Sequence, residues 1–179
     1  LTKIVEKVSG QSFADFIEKR LFQPLGMSNT IINDDITAII PSRVTPYNLR
    51  TQQYLDSYAA EGFKLKPSGK YLQHPRNSPH YGGSGVVSTI EDLLKWTTNM
   101  ETKKFGGQAF YDLMHQTLKF EHDRSNQAMG LYFSNYNGRT SVAWDGGDYG
   151  ISSQILRFPD QGISIVVLSN LGSGQAARK

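Results

Sequence analysis

The chain has 179 residues, the size of one domain or slightly more, and a chain this long buries roughly 70% of its unfolded surface without needing metals or disulfides. Aromatic residues make up 11% and charged residues 20%, which excludes disordered, collagenous and low-complexity classes. Lys and Arg exceed Asp and Glu by 19 to 16 with no basic run longer than two residues, so nucleic acid is not an expected partner, and the absence of Cys removes disulfides, thiol nucleophiles and Cys–metal sites.

Leu1, Ile4, Val5 and Val8 recur at helical spacing, and Gly10 supplies a stop, so residues 1–9 read as an amphipathic helix. The chain opens at Leu1, inside that pattern, which implies a preceding N-terminal portion and, with it, any targeting segment. Ser12 reads as the N-cap of a second helix, with Asp15 three residues on and Phe13, Phe16, Ile17 and Leu21 as its stripe, ended by Pro24 and Gly26. Residues 28–80 read as a largely irregular excursion, broken by Pro41, Pro46, Pro67, Pro75 and Pro79. Within it, Ile31-Ile32 predicts a short strand and Tyr47 to Leu55 a short hairpin.

From Tyr81 the signals sharpen. Gly82-Gly83-Ser84-Gly85 reads as a tight turn, because Val86 breaks the G-x-S-x-G pattern of a nucleophile elbow and no strand precedes the Ser. Ser88 and Glu91 read as a capping box, followed by Ile90, Leu93, Leu94 and Trp96 at helical spacing. Gln108 to Leu118 predicts a further helix. Four antiparallel strands follow, at Ala128–Asn135, Thr140–Trp144, Ile151–Phe158 and Ile163–Ser169. Asn137-Gly138 marks a two-residue hairpin turn and Pro159 to Gly162 a second turn. Val142/Trp144 and Ile163/Ile165/Val167 supply the buried-face alternation. The fold class is therefore α+β, an antiparallel sheet flanked by helices, with helices at 1–27 and 81–118 and strands at 128–170. The densest apolar run, Ile163–Leu168, falls far short of the roughly 18 residues of a membrane span.

The four histidines, His74, His80, His115 and His122, show no metal-ligand spacing and read as surface residues; neither a metal nor a cofactor is expected, and no phosphate-binding Gly loop is present. Trp144-Asp145-Gly146-Gly147-Asp148-Tyr149-Gly150 is different. Three Gly at a strand end allow a ligand or another backbone to approach closely, and an unpaired N–H there can donate to a developing oxyanion. A Gly-rich hairpin with the Trp packed on it accounts for the same residues equally well.

Several motifs together resemble one family. Val8-Ser9-Gly10-Gln11-Ser12-Phe13, Phe22-Gln23-Pro24-Leu25-Gly26-Met27 with Thr30, Gly83 to Thr89 with Asp92-Leu93, and Gly130-Leu131 are similar to segments of the class C β-lactamase-like branch of the serine β-lactamase and penicillin-binding-protein superfamily. Gly146, Gly147, Gly150, Ser152-Ser153, Pro159-Asp160 and Val166 to Asn170 are similar to its last strands, in order. The resemblance implies that residues 1–179 are the C-terminal portion of one β-lactamase/transpeptidase-like domain, a partial copy of that fold.

It also implies serine acyl transfer, with a Ser-x-x-Lys nucleophile motif, a Tyr-x-Asn (or Ser-x-Asn) motif and a third motif, Lys-Thr-Gly or His-x-Gly, on a strand beside the nucleophile. No Ser stands three before a Lys here, and no Tyr or Ser two before an Asn. Only the third motif is present, as Trp144-Asp145-Gly146. By resemblance Trp144 takes the Lys/His place, Gly146 the motif Gly, and Gly147 the place whose N–H faces the oxyanion; Trp144, Asp145, Asp148 and Tyr149 would line the substrate. Esterase-type members carry a similar Trp-Gly-Gly. Replacing a cation with Trp turns preference from substrates bearing a carboxylate towards neutral esters, amides or peptides. The expectation is an esterase- or peptidase-type hydrolase whose activity depends on the missing N-terminal portion, with that portion or a second copy as partner. The alternative is a non-catalytic binding or regulatory relative. The resemblance slightly favours an exported bacterial protein, periplasmic or extracellular.

Overall fold

The computed structural model describes residues 1–65, 69–73, 81–117, 127–148 and 150–172. Helix α1 (Thr2–Ser9) ends at Gly10, whose left-handed backbone sends its N–H to Glu6 O. Its apolar stripe is not buried: Leu1, Ile4 and Val8 are exposed. Helix α2 (Phe13–Ile17) is capped by Ser12, whose side chain accepts from the Asp15 N–H, as expected. Pro24 does not end this helical stretch. The chain widens into a π-helical turn over Glu18–Phe22 and continues as α3 (Gln23–Leu25), so the donor that Pro24 lacks is accommodated by a change of bonding register, and Gly26 makes the stop.

The excursion is more ordered than its prolines suggest. Strand β1 (Ile31–Ile32) is present, but the hairpin expected from Tyr47 to Leu55 is not. Tyr47–Leu49 forms β2, and residues 52–60 form helix α4 (Gln52–Ala60), capped by Thr51 accepting from the Tyr54 N–H. Tyr54 and Tyr58 stand one helical turn apart, and Tyr58 is buried against Phe63, so the aromatic spacing is helical rather than alternating. The partner of β2 is β3 (Tyr71–Gln73), paired Asn48 to Leu72. Strand β4 (Val86–Val87) pairs with β1.

Helix α5 (Ile90–Thr102) is capped by Thr89, which accepts from the Asp92 N–H; the capping pair lies one residue beyond the expected Ser88 and Glu91. Ser88 instead bonds the Thr30 hydroxyl at 2.8 Å. Helix α6 (Gly107–His115) ends earlier than expected, and residue 118 lies outside the described residues. His115 is not a surface residue: its ring stacks on Tyr111 at 3.9 Å and meets Phe133 edge-on. His74, His80 and His122 lie outside the described residues.

The sheet consists of β5 (Tyr132–Tyr136), β6 (Arg139–Asp148), β7 (Ile151–Phe158) and β8 (Ile163–Ser169), antiparallel and in chain order. The first strand begins later than expected, because Ala128 to Leu131 closes on itself with an Ala128 N–H to Leu131 O bond. The second reaches Asp148, four residues beyond Trp144. Phe133, Val142, Ile155, Arg157 and Ser164 share one face through the pairing register, and this face carries contacts to α5 and α6. Ile163 and Ile165 stand on the opposite face and are exposed, contrary to the expected burial; Ser164 and Val166 face the helices in their place.

A second cluster packs Phe22, Met27 and Ile32 against α2, Tyr81 and Trp96. Each of its three buried side chains contributes roughly 2–3 kcal/mol of transfer free energy. Asp92, wholly buried, ties the two ends of this cluster together. It accepts from Asn29 N at 2.7 Å, from the Thr30 hydroxyl at 2.9 Å and from Lys95 Nζ at 2.8 Å. Burial pushes its carboxyl up, but these donors outweigh burial and hold it below the usual carboxylate range. Among the described residues no helix is long and apolar enough to cross a membrane, and no cluster of three metal-ligating side chains forms.

Candidate active site

Strand β6 is covered on one side over only half its length. β5 pairs with residues 139–143, from Arg139 opposite Tyr136 to Ala143 opposite Tyr132. β7 pairs with residues 142–148 on the other side. On the β5 side no described strand pairs with residues 144–148. This stretch begins only at Trp144, because β5 occupies the first part of the strand.

Hydrogen-bond alternation tells which groups face this edge. Asn137 (φ 49°) and Gly138 (φ 79°) are both left-handed, as a type I′ turn requires, so Tyr136 and Arg139 form the hydrogen-bonded pair that closes the hairpin. Counting in twos from Arg139, residues 141, 143, 145 and 147 turn their N–H and C=O groups to the β5 side, and residues 142, 144, 146 and 148 turn theirs to β7. The same assignment follows from the other end, where Asp148 and Ile151 close the next hairpin. The Gly147 N–H thus points to the open edge.

Side chains alternate as well. Trp144, Gly146 and Asp148 share the face that carries Val142, whereas Asp145 and Gly147 belong to the other face. Trp144 is half-buried, opposite the buried Ile155. Of the residues expected to line substrate, Trp144 and Asp148 are brought to one face, Asp145 is not, and Tyr149 lies outside the described residues. A Cβ on Gly146 would stand 2.8 Å from Ser153 Oγ, whereas at Gly147 the nearest atom would be Ile151 O at 3.8 Å. The strand is closely backed at one glycine and open at the next.

Sequence reasoning missed what holds the far end of this strand. Gly150 (φ 78°) is buried, and a Cβ there would meet Pro46 Cβ at 2.6 Å and Tyr47 N at 2.7 Å. Its N–H donates to Asn48 Oδ1 at 3.0 Å, and its C=O accepts from Tyr47 N at 3.1 Å. The Tyr47 N–H is shared with Asn170 O at 3.0 Å, and the Gly172 N–H donates to Tyr47 O at 2.8 Å. Ser152 Oγ donates to Leu171 O at 3.0 Å. Three segments distant in sequence form one knot, and no local pattern announces it.

Further along the face that carries Trp144 lies a second feature without a sequence signal. Arg157 is 1% exposed; its Nε donates to Ser164 Oγ at 3.4 Å and its Nη2 lies 3.7 Å from Glu101 Oε1. His115 donates from Nδ1 to Tyr111 O at 2.8 Å if Nδ1 carries the proton, the tautomer that this bond selects. Burial lowers the imidazole's pKa, and the nearby Arg157 charge lowers it further against the Tyr111 bond.

The family profile described as Beta-lactamase matches residues 1–179. The Unguisins hydrolase ungD′ of Aspergillus campestris is 25% identical over 178 residues, which cover 93% of this chain and 30% of the relative. Penicillin-binding protein 4* of Bacillus subtilis is 25% identical over 174 residues, covering 95% of this chain and 37% of the relative. The crystal structure of a penicillin-binding protein from Bacillus halodurans superposes with a TM-score of 0.74 at 19% identity, over 98% of this chain and 49% of that one. The chain spans about a third of the length of these curated relatives.

Proposed function

The chain belongs to the beta-lactamase family of serine hydrolases, and from that premise we propose that residues 144–148 are the strand wall of an acyl-transfer site. The observation that carries this reading is the direction of the Gly147 N–H, which faces the side of β6 where no described strand pairs beyond Ala143. A substrate carbonyl oxygen accepts from that N–H. As a serine Oγ adds to the carbonyl carbon, its proton passes to the base, and negative charge grows on the oxygen where the donor already waits. The carbonyl reforms as the C–O or C–N bond to the leaving group breaks and that group takes up the proton. Water then releases the acyl group by the same sequence. The nucleophile and base are supplied from residues outside these 179, since the chain contains neither Ser-x-x-Lys nor Tyr-x-Asn.

Trp144 sets the substrate class. It lines the wall with an apolar ring and one N–H where a cation would attract a carboxylate, so the substrates are neutral esters, amides or peptides.

Intact-mass analysis with a fluorophosphonate tests the division of labour. Residues 1–179 should remain unlabelled, and the product of the whole reading frame should gain one adduct and cleave a neutral aryl ester faster than a penicillin. Trp144→Lys in that product should raise penicillin turnover about tenfold relative to the ester, the worth of one charge-assisted contact. An adduct on residues 1–179 would place the nucleophile within this chain. No adduct and no hydrolysis with the whole product would favour the non-catalytic relative.

A further inference from the structure

The knot at the far end of β6 contains one side chain whose geometry bears directly on the Gly147 N–H. Asn48 is 0% exposed, sits on β2, and reaches Gly150 across 102 residues of sequence. Together with its neighbour Tyr47 it holds Gly150 at both backbone groups, the N–H through Oδ1 and the C=O through the Tyr47 N–H. Gly147 is three residues away, opposite Ser152, and Ser152 is itself tethered to Leu171. On the β5 side nothing among the described residues holds Gly147. Its orientation is therefore set from the β7 side and from the turn, and the turn is set by Asn48.

The chemistry of the residue fits this task. The position needs a neutral acceptor at the length of an amide, pressed among backbone atoms. A carboxylate would bring a charge into a buried site, and an aliphatic side chain would strand the Gly150 N–H. The remaining group, Asn48 Nδ2, is buried with no hydrogen-bond partner among the described residues. A buried donor left without a partner is costly, and the acceptor role of the same amide offsets that cost.

We propose that Asn48 is a positioning residue for the acyl-binding edge: through Gly150 it fixes the direction of the Gly147 N–H. The proposal rests on the reading of β6 as the edge that receives the carbonyl, but its test needs no turnover, so the two stand or fall separately. The product of the whole reading frame is labelled with 15N-glycine, and the amides of Gly138, Gly147 and Gly150 are followed in wild type, Asn48→Ala and Asn48→Asp. In Asn48→Ala the Gly150 and Gly147 resonances should both move, Gly150 should exchange with solvent about tenfold faster, and Gly138 should stay. Asn48→Asp keeps an acceptor oxygen at the same length; with its carboxyl protonated it should return Gly147 towards its wild-type position, and with the carboxyl ionised it should not. If Gly150 moves and Gly147 does not, Asn48 is only a fastener of the turn and the proposal fails. Should Asn48→Ala not fold, Asn48→Ser, which shortens the side chain while keeping an oxygen, is read by the same criterion.

Discussion

Strand β6 lies between two turns that are held in opposite ways. At Asn137-Gly138 everything needed is local. Both residues adopt positive φ, Asn135 Oδ1 accepts from the Gly138 N–H at 2.8 Å, and a Cβ on Gly138 would meet nothing within 4 Å. At Gly150 almost nothing is local: the turn is clamped by residues 46–48 and approached by 170–172. The first turn serves only to reverse the chain. The second is where the free edge ends, so the part of the sheet nearest the proposed chemistry is the part that its own sequence determines least.

This contrast can be broken by substitution. Gly150→Ala adds a Cβ against backbone at a positive φ, and overpacking plus left-handed strain should cost about 4 kcal/mol in urea unfolding. Gly138→Ala is its control, with the strain but no collision, and should cost about 1.5 kcal/mol. Equal losses would show that the packing at Gly150 is not tight, and the argument from the knot would go with it. Asp92→Ala sharpens the comparison at a second long-range tie. It should cost about 3 kcal/mol at pH 7, because Thr30, Asn29 and Lys95 lose a shared buried acceptor. The native carboxyl titrates below its ordinary value, so its contribution is present above the unfolded pKa of about 4 and is lost as pH falls through the native one. Melts should show the gap between wild type and variant closing below about pH 4; a gap independent of pH would remove the charge from the account.

What could be read in the sequence follows the same division. The Ser12 cap, the Asn137-Gly138 turn and the bounds of β7 and β8 were legible because each depends on residues within a few positions. Helix α4 was hidden because prolines on both sides suggested breaks, while its helical signal was only Tyr54, Leu55 and Tyr58. Trp144, Gly146 and Gly147 could be picked out as a group by their glycines and by family resemblance. That Asp145 takes the opposite face from Trp144 needed only the period of a strand, once the strand was known to continue past Trp144. Asn48 could not have been found: a buried asparagine beside a tyrosine carries no mark until the chain a hundred residues later folds onto it.

The order of the strands bears on how the molecule forms. β5, β6, β7 and β8 lie side by side in chain order, so each pairing closes a short loop, whereas the Asn48–Gly150 bond closes one of 102 residues. For a flexible chain that closure costs about 3 kcal/mol more entropy than joining Tyr136 to Arg139. The meander can zip along its length before its last corner is anchored, and a corner held by a few long-range bonds is expected to lift before the paired strands. Native-state hydrogen exchange should therefore find the Asn48-bound amide of Gly150 opening at a lower free energy than the paired amides of β7. The hinge of that opening lies beside Gly147, so the time this edge spends assembled is governed by contacts that close loops of a hundred residues or more.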